Sequence, residues 1–484
     1  MAACVFVSVT ACLLVQQSGT ALYFGDAVSH LNIGRKIVDN KTPGWEQLGT
    51  VWLPLPHLLT ALLVWSDPLW QSGLAGAIPG MCGFVAGGVF LFLIVRRDLE
   101  SSALAAAALA LYLVNLNLLY LQATPMTEPQ MIGAFLGAVY FAGQGRAIPA
   151  GLFLLAGTLI RYDGWFYLPF FAAYFYRRHG WRRAAQFACV AGIGPLLWLL
   201  HNQLLYDNAL EWYNGPYAPA AIEARNSHGA GPKHPGDHNL WIALLYYWKS
   251  VRLVVGNVPS WLAVAGTAVL AWRKRAFSPI FLLWLPLIFY TASVAYGSVP
   301  VFVPQWYPFS FYNTRYALAT LPAVAALAPA AFYTLGIWQK RSAAVLVLFV
   351  AAGWAIGISR ARADAVVVFR EAQENSMDRR YAVALLAKEL QRGCQEIWMG
   401  GGDWTGALIE SDIPFARVVH EGNRQLWKMA QVHPESLVDC VIEQEGDGVH
   451  EAIARLPQFA RSFHIALDLS SPGEARLRLW RRIK

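Results

Sequence analysis

Charged residues are scarce in this chain: they make up 14% of its 484 residues, whereas soluble globular domains contain roughly 25%. Hydrophobic residues account for 56%, and the mean hydropathy is +0.38. This balance excludes an ordinary soluble protein. Apolar runs of about 20 residues, long enough to cross a bilayer, recur along the sequence. The composition therefore predicts an α-helical polytopic membrane protein.

Several sequence motifs are also missing. The six cysteines form no CxxC pair and no Cys/His cluster of the kind that holds structural zinc. A strand–GxGxxG–helix fingerprint and a Walker motif are lacking, so we predict no nucleotide site. No internal repeat or low-complexity tract stands out. The net charge of +8 comes from short basic clusters between apolar runs, which is typical of cytoplasmic loops, and we predict no nucleic-acid partner.

The apolar runs predict about eleven transmembrane helices. The first run lacks a basic n-region and a small-residue cleavage site, so we interpret it as a helix and not as a removed signal peptide. By residue number the predicted spans are 3–23, 72–95, 101–121, 128–143, 147–160, 164–176, 184–205, 256–272, 277–297, 315–337 and 343–359. With a cytoplasmic N-terminus, every inner turn is basic, as the positive-inside rule requires. The basic residues of these turns are Arg96, Arg97, Arg146, Arg177, Arg178, Arg182, Arg183, Arg273, Lys274, Arg275, Lys340 and Arg341.

Three segments are predicted on the outer side: the loops 24–71 and 206–255, and the tail 360–484. Within the first loop the run 50–66 is apolar but short, and Pro54 and Pro56 disfavour a regular helix through its first half. We interpret this run as a re-entrant or interfacial segment. The tail has ordinary soluble composition, with a helical pattern at 376–392 and strand-like pieces around it. We predict a transmembrane domain over 1–359 and a small α/β domain over 360–484.

Five ionisable residues at the ends of predicted spans fall on this outer side. They are Asp26, Glu128, Arg161, Asp163 and Arg315. A charge at the bilayer centre costs at least about 2.5–3.5 kcal/mol on insertion scales. Near the interface the cost is smaller, and a wetted helix end explains any one of them alone. Their collection on one side is what favours a functional site.

Carboxylates and guanidiniums at one depth suit a lipid that carries a phosphate and a sugar. Arginine forks bind phosphate oxygens bidentately and keep their charge. A carboxylate can accept the proton of an attacking hydroxyl, and a phosphate leaves readily once cations neutralise it. Such a site needs no nucleophilic side chain.

Four short segments carry a family resemblance: "GDAVSHLNIGRKIVDNKTPGWEQLGTVWLPLPHLL" (25–59), "TPMTEPQ" (124–130), "LIRYDGWFYLP" (159–169) and "YNTRYALATLP" (312–322). In the order of these segments, and in their common position on the predicted outer side, the chain resembles the GT-C superfamily of integral-membrane glycosyltransferases. It is most similar to the bacterial branch related to protein O-mannosyltransferases and the lipid A aminoarabinose transferase. The resemblance covers about residues 1–360.

The resemblance implies transfer of a sugar from a polyprenyl-phosphate donor to an acceptor at the outer leaflet of a bacterial inner membrane. The acceptor would be a glycolipid, a polysaccharide or a protein, and membrane lipids would surround the chain. In relatives the first-loop aspartate, here Asp26, is the expected catalytic base, and Glu128 matches the acid of the second outer loop. Arg161 and Arg315 match basic positions assigned to the donor phosphate, while Asp163 would orient Arg161 or contact sugar.

One departure concerns metal binding. Many relatives carry a second acid directly after the first-loop aspartate, and here that residue is Ala27. One acid fewer weakens the case for a bound divalent cation. We assign no metal ligand and no certain cofactor, and a divalent metal shared by Asp26 and Glu128 stays open.

Four further residues are candidates for substrate contact. His30 lies one helical turn from Asp26 and would contact acceptor or phosphate, or only hydrogen-bond a neighbour. His57, on an apolar stretch, would face a cavity or be a satisfied core histidine. Tyr312 and Asn313 stand beside Arg315 and would hydrogen-bond a sugar. The sequence does not decide whether Cys394 and Cys440, on the oxidising side in this topology, form a disulfide.

Two other functions stay open. A transporter or flippase is disfavoured because the charged residues collect on one side, whereas transporters place their sites near the midplane and often show repeated halves. A membrane anchor whose outer domain binds a partner would leave the carboxylates and arginines without a role.

Overall fold

The computed structural model describes residues 1–226, 234–273, 278–359, 366–470 and 475–483, and helices dominate it. The α-helices up to residue 206 are α1 (Ala2–Gln17), α2 (Gly25–Val38), α3 (Pro54–Ala61), α4 (Asp67–Gln71), α5 (Leu74–Leu99), α6 (Ser102–Leu113), α7 (Leu116–Gln122), α8 (Glu128–Gly143), α9 (Ala147–Ile160), α10 (Asp163–His179), α11 (Trp181–Ala191) and α12 (Ile193–Tyr206). Those up to residue 359 are α13 (Glu211–Asn214), α14 (Pro219–Asn226), α15 (Leu240–Val255), α16 (Asn257–Trp272), α17 (Leu285–Tyr296), α18 (Leu321–Ala330) and α19 (Gln339–Ser359).

The described residues beyond 359 add six helices and five strands. The helices are α20 (Val367–Glu374), α21 (Met377–Gln391), α22 (Gly406–Ser411), α23 (Arg424–Ala430), α24 (Gly448–Ala454) and α25 (Phe459–Ser462). The strands are β1 (Ile397–Trp398), β2 (Val418–Val419), β3 (Cys440–Gln444), β4 (Phe463–Leu469) and β5 (Leu477–Arg482). Short 3₁₀ helices lie at Trp45–Leu48, Pro279–Trp284, Thr314–Thr320, Gly336–Trp338, Asp403–Thr405, Phe415–Arg417 and Pro434–Ser436.

Several helical segments are apolar enough to cross a membrane. Within the described residues four are long enough as well: Leu74–Leu99, Trp181–Tyr206, Pro279–Tyr296 and Gly336–Ser359. Two bent pairs, Ser102–Leu113 with Leu116–Gln122 and Leu240–Val255 with Asn257–Trp272, raise the number to six if each pair is one span. The chain is therefore an integral membrane protein.

The predicted number of eleven spans stays a prediction. Some of the predicted spans are short helices: α9 has 14 residues, a rise of about 21 Å, whereas a hydrocarbon core is about 30 Å thick. The predicted outer loop 206–255 contains the 16-residue helix α15. The loop as a whole is rich in aromatic and polar residues, so the apolar pattern of α15 within it did not stand out in the sequence. Residues 227–233 of this loop, Lys274 and Arg275 of one basic turn, and residue 277 lie outside the described residues.

The expectation that Pro54 and Pro56 disfavour a regular helix is wrong. Helix α3 begins at Pro54, and Pro56 is its third residue. The first turn of a helix tolerates proline because its N–H groups have no intrahelical acceptor. The prolines therefore mark the start of the helix.

Two compact units make up the fold. The first comprises 1–20, 50–56 and 77–372, and the second 21–49, 57–76 and 373–484. In the first unit α5 and α8 pack backbone against backbone. A methyl group on Gly83 would lie 2.5 Å from Pro129 O, and one on Gly133 would lie 2.6 Å from Gly83 O. Glycine at both positions permits this approach, which fixes the start of α8.

The second unit is built on a five-stranded sheet of order β2-β1-β3-β5-β4. Strands β2, β1 and β3 are parallel, whereas β5 is antiparallel to both β3 and β4. Alternate residues point to opposite faces, so Ile397 and Trp398 belong to two different apolar cores. Cys394 and Cys440 form a disulfide, and both cysteines are buried in the first core, the one that contains Ile397.

That first core also explains why segments of the first outer loop and of the tail belong to one unit. Leu31, Val64 and Trp70 of the first outer loop are buried in it together with tail residues such as Leu386. The sequence predicts a single division at 359/360, beside residues 360–365, which lie outside the described residues. The two linear domains stay a prediction, and the structure adds that 21–49 and 57–76 pack with the tail.

Candidate functional site

Glu128 is the first residue of α8, in the "TPMTEP" motif. Pro129 stands in the first turn, where its fixed φ angle suits a helix and its missing N–H costs nothing. A carboxylate there also interacts favourably with the helix dipole. The residue is only 2% exposed, so its charge requires partners.

Arg161 and Asp163 occupy the break between α9 and α10. Arg161 ends α9 in an extended conformation, and Asp163 is the first residue of α10. A methyl group on Gly164 would lie 2.7 Å from the backbone of Gly157 and Thr158. Only glycine allows α10 to begin so close to α9, and this contact brings both charged side chains to the same helix end.

Arg315 is the second residue of the 3₁₀ helix Thr314–Thr320. Asn313 precedes this helix with φ of 55°, a left-handed conformation that asparagine adopts more readily than most residues. The turn directs the chain into α18, and Arg315 is buried, with 7% exposure.

The two arginines meet at one oxygen of Glu128. Arg161 Nη1 lies 3.2 Å from Glu128 Oε1, and Arg315 Nε lies 3.3 Å from the same atom. The other oxygen, Oε2, is buried and has no hydrogen-bond partner among the described residues. An unsatisfied buried acceptor costs roughly 1–3 kcal/mol, and more when it is charged. A donor that reached Oε2 would therefore be bound favourably.

Arg161 is held by three further hydrogen bonds. Its Nη1 donates to Thr127 Oγ1 at 3.0 Å, its Nε to Asp163 Oδ1 at 3.3 Å, and its Nη2 to the Tyr290 hydroxyl at 3.1 Å. Tyr290 in turn donates to Asp163 Oδ2 at 2.7 Å. These contacts fix the plane of the guanidinium before any ligand arrives.

An aromatic stack lies against both guanidiniums. The Tyr316 ring centroid is 5.2 Å from Arg161 Cζ and 4.9 Å from Arg315 Cζ, within cation–π range. Tyr316 stacks on Tyr290 at 5.3 Å, and Tyr290 stacks on Tyr247 at 5.4 Å. The ring of Tyr316 therefore contacts both guanidiniums.

A third carboxylate completes the cluster. Glu371, from α20, lies with its Oε1 3.6 Å from Arg315 Nη1. With all groups ionised, three carboxylates and two guanidiniums leave one net negative charge. An incoming phosphate would therefore compete with the carboxylates for the arginine N–H groups.

A cavity of about 10 Å³ adjoins these side chains, roughly the space that one water molecule needs. Glu128, Arg161, Asp163 and Tyr290 form its polar wall. Its remaining wall consists of Met131, Ile132, Phe135, Tyr167, Pro286 and Ala319. A lipid phosphate or a sugar does not fit this space, so side chains must move to admit either.

Asp26, His30 and His57 belong to the second unit. Asp26 is half-buried in the first turn of α2. His30 and His57 are buried and stacked, with 2.9 Å between His30 Nδ1 and His57 Nε2. The two histidines, 27 positions apart, thus form a pair, which the sequence did not indicate.

Tyr312 and Asn313 hold the loop before Arg315. Tyr312 is 45% exposed and exchanges backbone hydrogen bonds with Phe302, while the Asn313 side-chain amide donates to Pro300 O at 3.0 Å. Asn313 therefore uses its amide within the protein. A sugar contact by either residue stays a prediction.

Sequence reasoning missed four contributors to the cluster: Thr127, Tyr290, Tyr316 and Glu371. Thr127 and Tyr316 stand inside the "TPMTEPQ" and "YNTRYALATLP" motifs, so their positions gave a signal. Tyr290 lies in a predicted span and Glu371 in the predicted soluble tail. Neither position indicated a contact with Arg161 or Arg315.

The question of a divalent metal stays open. In the part of the chain that the structure describes, no three His, Cys, Asp or Glu side chains come together in a way that could hold a metal ion. Two carboxylates of the cluster, Glu128 and Asp163, already accept from Arg161.

Comparisons with known proteins establish the fold. No protein-family model matches the sequence, and no curated protein is significantly similar to it. Among solved structures the chain is similar to ArnT from Cupriavidus metallidurans, both bound to undecaprenyl phosphate and in the apo state. Each comparison gives 14% identity, a TM-score of 0.53, and coverage of 98% of this chain and 97% of that one.

The Archaeoglobus fulgidus oligosaccharyltransferase, in complex with Zn and sulfate, is 12% identical over 97% of this chain and 72% of its own, with a TM-score of 0.47. The similarity to ArnT shows that the chain has a GT-C fold, as the four motifs predict. At 14% identity it does not show the reaction.

Proposed function

We propose that this chain is a membrane glycosyltransferase that moves a sugar from a polyprenyl-phosphate-linked donor to an acceptor hydroxyl or phosphate. The observation that carries the proposal is the buried pairing of Glu128 with Arg161 and Arg315. Fixed guanidiniums at helix ends suit a phosphate. The fold is shared with a protein whose solved structure holds undecaprenyl phosphate.

Arg161 and Arg315 are assigned to the donor phosphate, and Asp163 with Tyr290 orients Arg161. Because carboxylates already contact the arginine N–H groups, a phosphate binds by taking N–H groups from one of them. Glu128 is the group best suited to yield, since one of its oxygens accepts from both arginines. We infer that donor binding opens these contacts and enlarges the cavity beside them.

Asp26 is assigned as the base that accepts the acceptor proton. In a single displacement the acceptor oxygen forms a bond to the anomeric carbon while the bond from that carbon to the phosphate oxygen breaks. The proton passes to Asp26, and polyprenyl phosphate leaves. Attack opposite the leaving group inverts the anomeric centre. His30 and His57, in the same unit as Asp26, are assigned to the acceptor side.

The reaction is proposed for the outer face of the membrane, with a cytoplasmic N-terminus and an extracytoplasmic tail. The disulfide between Cys394 and Cys440 supports this orientation, since disulfides persist in oxidising compartments. The acceptor would be a glycolipid, a polysaccharide or a protein. No step in this scheme uses a metal ion.

The purified full-length protein, supplied with radiolabelled sugars on undecaprenyl phosphate and with candidate acceptors, tests the proposal. We expect release of undecaprenyl phosphate with label in the acceptor. Asp26→Asn is expected to abolish transfer without changing folding or membrane insertion. Near-normal transfer by that variant would contradict the assigned base.

A lipid or sugar transporter is the alternative, and the same protein in sealed vesicles separates the two. A transporter would move the intact labelled donor between leaflets and leave the sugar–phosphate bond unbroken. A transferase breaks that bond in detergent, where no second leaflet exists.

A further inference from the structure

Glu371 is a buried carboxylate beyond the last predicted membrane helix. It lies in α20 and is only 1% exposed, although sequence composition assigns this stretch to the soluble tail. Burying an ionised carboxylate costs several kcal/mol unless partners compensate for it. Its position is therefore explained only by what it contacts in the first unit.

Both oxygens of Glu371 are used, and for different partners. Oε2 accepts from the Thr314 backbone N–H at 2.8 Å and from the Thr314 hydroxyl. Oε1 lies 3.6 Å from Arg315 Nη1. One oxygen thus holds the first residue of the 3₁₀ helix, and the other faces the guanidinium that the second residue carries.

Helix α20 is itself anchored within the first unit. The Val368 backbone N–H donates to Asn117 Oδ1 at 2.9 Å, and Phe369 packs edge-on against Tyr120 with 5.3 Å between ring centroids. The Asn117 side chain also donates to Val254 O at 3.0 Å. Glu371 is therefore presented by a fixed helix.

We propose that Glu371 is a positioning residue for donor binding, and the proposal rests on the function proposed above. Glu128 contacts Arg315 at Nε, and Glu371 forms an ion pair with it at Nη1 over 3.6 Å. Two contacts on different edges restrain the plane of a guanidinium more than one contact does. Donor phosphate then meets an arginine already oriented, so less of the binding free energy goes into ordering it.

A purely structural role predicts a different pattern of effects. Oε2 accepts from both the backbone N–H and the hydroxyl of Thr314, whereas Oε1 faces Arg315. Removing the Thr314 hydroxyl should weaken the contact at Oε2 and leave the Arg315 contact in place, whereas removing the charge of Glu371 should affect Arg315.

The test compares Glu371→Gln, Thr314→Val and the matched control Glu374→Gln in the full-length protein. Glu374 lies on the same helix and is exposed. Binding of undecaprenyl phosphate, measured against undecaprenol, is the first readout, and KM and kcat for the donor are the second. We expect Glu371→Gln to weaken undecaprenyl phosphate binding and to raise the donor KM about 10- to 100-fold, with most of the loss in KM. Thr314→Val and Glu374→Gln should stay within about threefold of wild type.

Wild-type affinity in Glu371→Gln would overturn the proposal, as would an equal loss in Thr314→Val. If Glu371→Gln fails to fold, Glu371→Asp decides, because it keeps the charge and withdraws the carboxylate by about one C–C bond. Weaker phosphate binding by that folded variant supports the role, and unchanged binding overturns it. Wild-type protein that binds undecaprenyl phosphate but transfers no sugar would contradict the transferase and leave the positioning role in place.

Discussion

Glu128 and Arg161 lie 33 positions apart in the sequence, and their side chains meet with 3.2 Å between Glu128 Oε1 and Arg161 Nη1. Arg315 approaches the same oxygen. One carboxylate oxygen thus pairs with the guanidiniums of the buried Arg315 and the partly buried Arg161, while Glu128 Oε2 has no partner among the described residues. The Glu128 side chain therefore contributes both a negative charge and a positioned acceptor oxygen, and two different substitutions can distinguish these contributions.

We predict opposite effects of Glu128→Gln on binding and on transfer. A donor phosphate must take the arginine N–H groups that Glu128 Oε1 accepts. An amide at this position releases them more easily than a carboxylate does, so undecaprenyl phosphate should bind at least as tightly as to wild type. Transfer should fall about 100-fold, because an amide oxygen holds two guanidiniums less firmly and small misplacements are costly. Binding of undecaprenyl phosphate and donor turnover, measured on the same preparations, check the two effects.

Glu128→Ala supplies the contrast. It leaves both arginines without their shared acceptor, and breaking a buried ion pair from one side costs about 3–5 kcal/mol. We expect a clear loss of thermal stability for this variant and a smaller one for Glu128→Gln. Equal stability of the two variants would mean that the charge pair does not hold the site together.

A second prediction concerns pH and the second unit. Burial raises the pKa of Asp447 to about 6 from its ordinary 3.8, and the nearby Glu421 adds to the rise. The pKa of Asp447 is higher in the folded protein than in the unfolded protein. Its protonated side chain therefore contributes fully to stability below pH 3.8, and this contribution is lost as pH rises through about 6. The free energy of opening β3 and α24 should fall by up to about 3 kcal/mol over this range.

Asp447→Asn isolates that effect. Asp447 Oδ1 accepts from the His450 N–H at 2.7 Å as the cap of α24, and asparagine caps about equally well without ionising. Hydrogen exchange over 440–454 should show a smaller fall between pH 4 and 7 than in wild type. Glu451→Gln, on the exposed side of the same helix, should keep the wild-type slope. If Asp447→Asn also kept that slope, the pKa of Asp447 would not be the cause.

Local patterns were enough to nominate much of the candidate site. Glu128, Arg161 and Arg315 each follow a break in an apolar run, where a proline, a charged pair or a polar turn is visible in the sequence. Glu371 gave no such signal, because its contact with Arg315 depends on where α20 packs. Packing is also what assigns Leu31 and Trp70 to the core of the tail, and a linear division of the chain cannot represent that.

A third prediction tests the disulfide and the side of the membrane on which it lies. Cys394 and Cys440 are buried and close a loop with a sequence separation of 46. Loss of a native disulfide typically costs about 2–5 kcal/mol. Cys394→Ala with Cys440→Ala should therefore speed hydrogen exchange in β1 and β3. Donor turnover should change less, since neither sulfur belongs to the arginine cluster.

Thiol labelling of the denatured protein from cells checks the compartment. Of the six cysteines, two should react with maleimide only after reduction, and Cys4, Cys12, Cys82 and Cys189 should react before it. Full labelling before reduction would place the tail in a reducing compartment and contradict the proposed orientation.

The last prediction concerns the turn that carries Asp26. A methyl group on Gly25 would lie 2.1 Å from Arg379 Nη1, and Arg379 Nη2 donates to Tyr23 O at 3.2 Å. Gly25→Ala must therefore displace the guanidinium from the start of α2. In the wild-type background we expect a loss of about 1 kcal/mol, the value of a typical hydrogen bond, and reduced transfer because Asp26 is the next residue.

In an Arg379→Ala background, Gly25→Ala should stabilise the start of α2 instead of destabilising it. No guanidinium then opposes the methyl group, and alanine is favoured over glycine within a helix by about 1 kcal/mol. Hydrogen exchange over 25–38 in the two single variants and the double variant gives the coupling between the positions. Additive effects would show that Arg379 does not support this turn. A coupling of about 1–2 kcal/mol would show that Gly25 accommodates the Arg379 guanidinium. Recovered transfer in the double variant would show that Asp26 depends on the conformation of this turn and not on Arg379 itself.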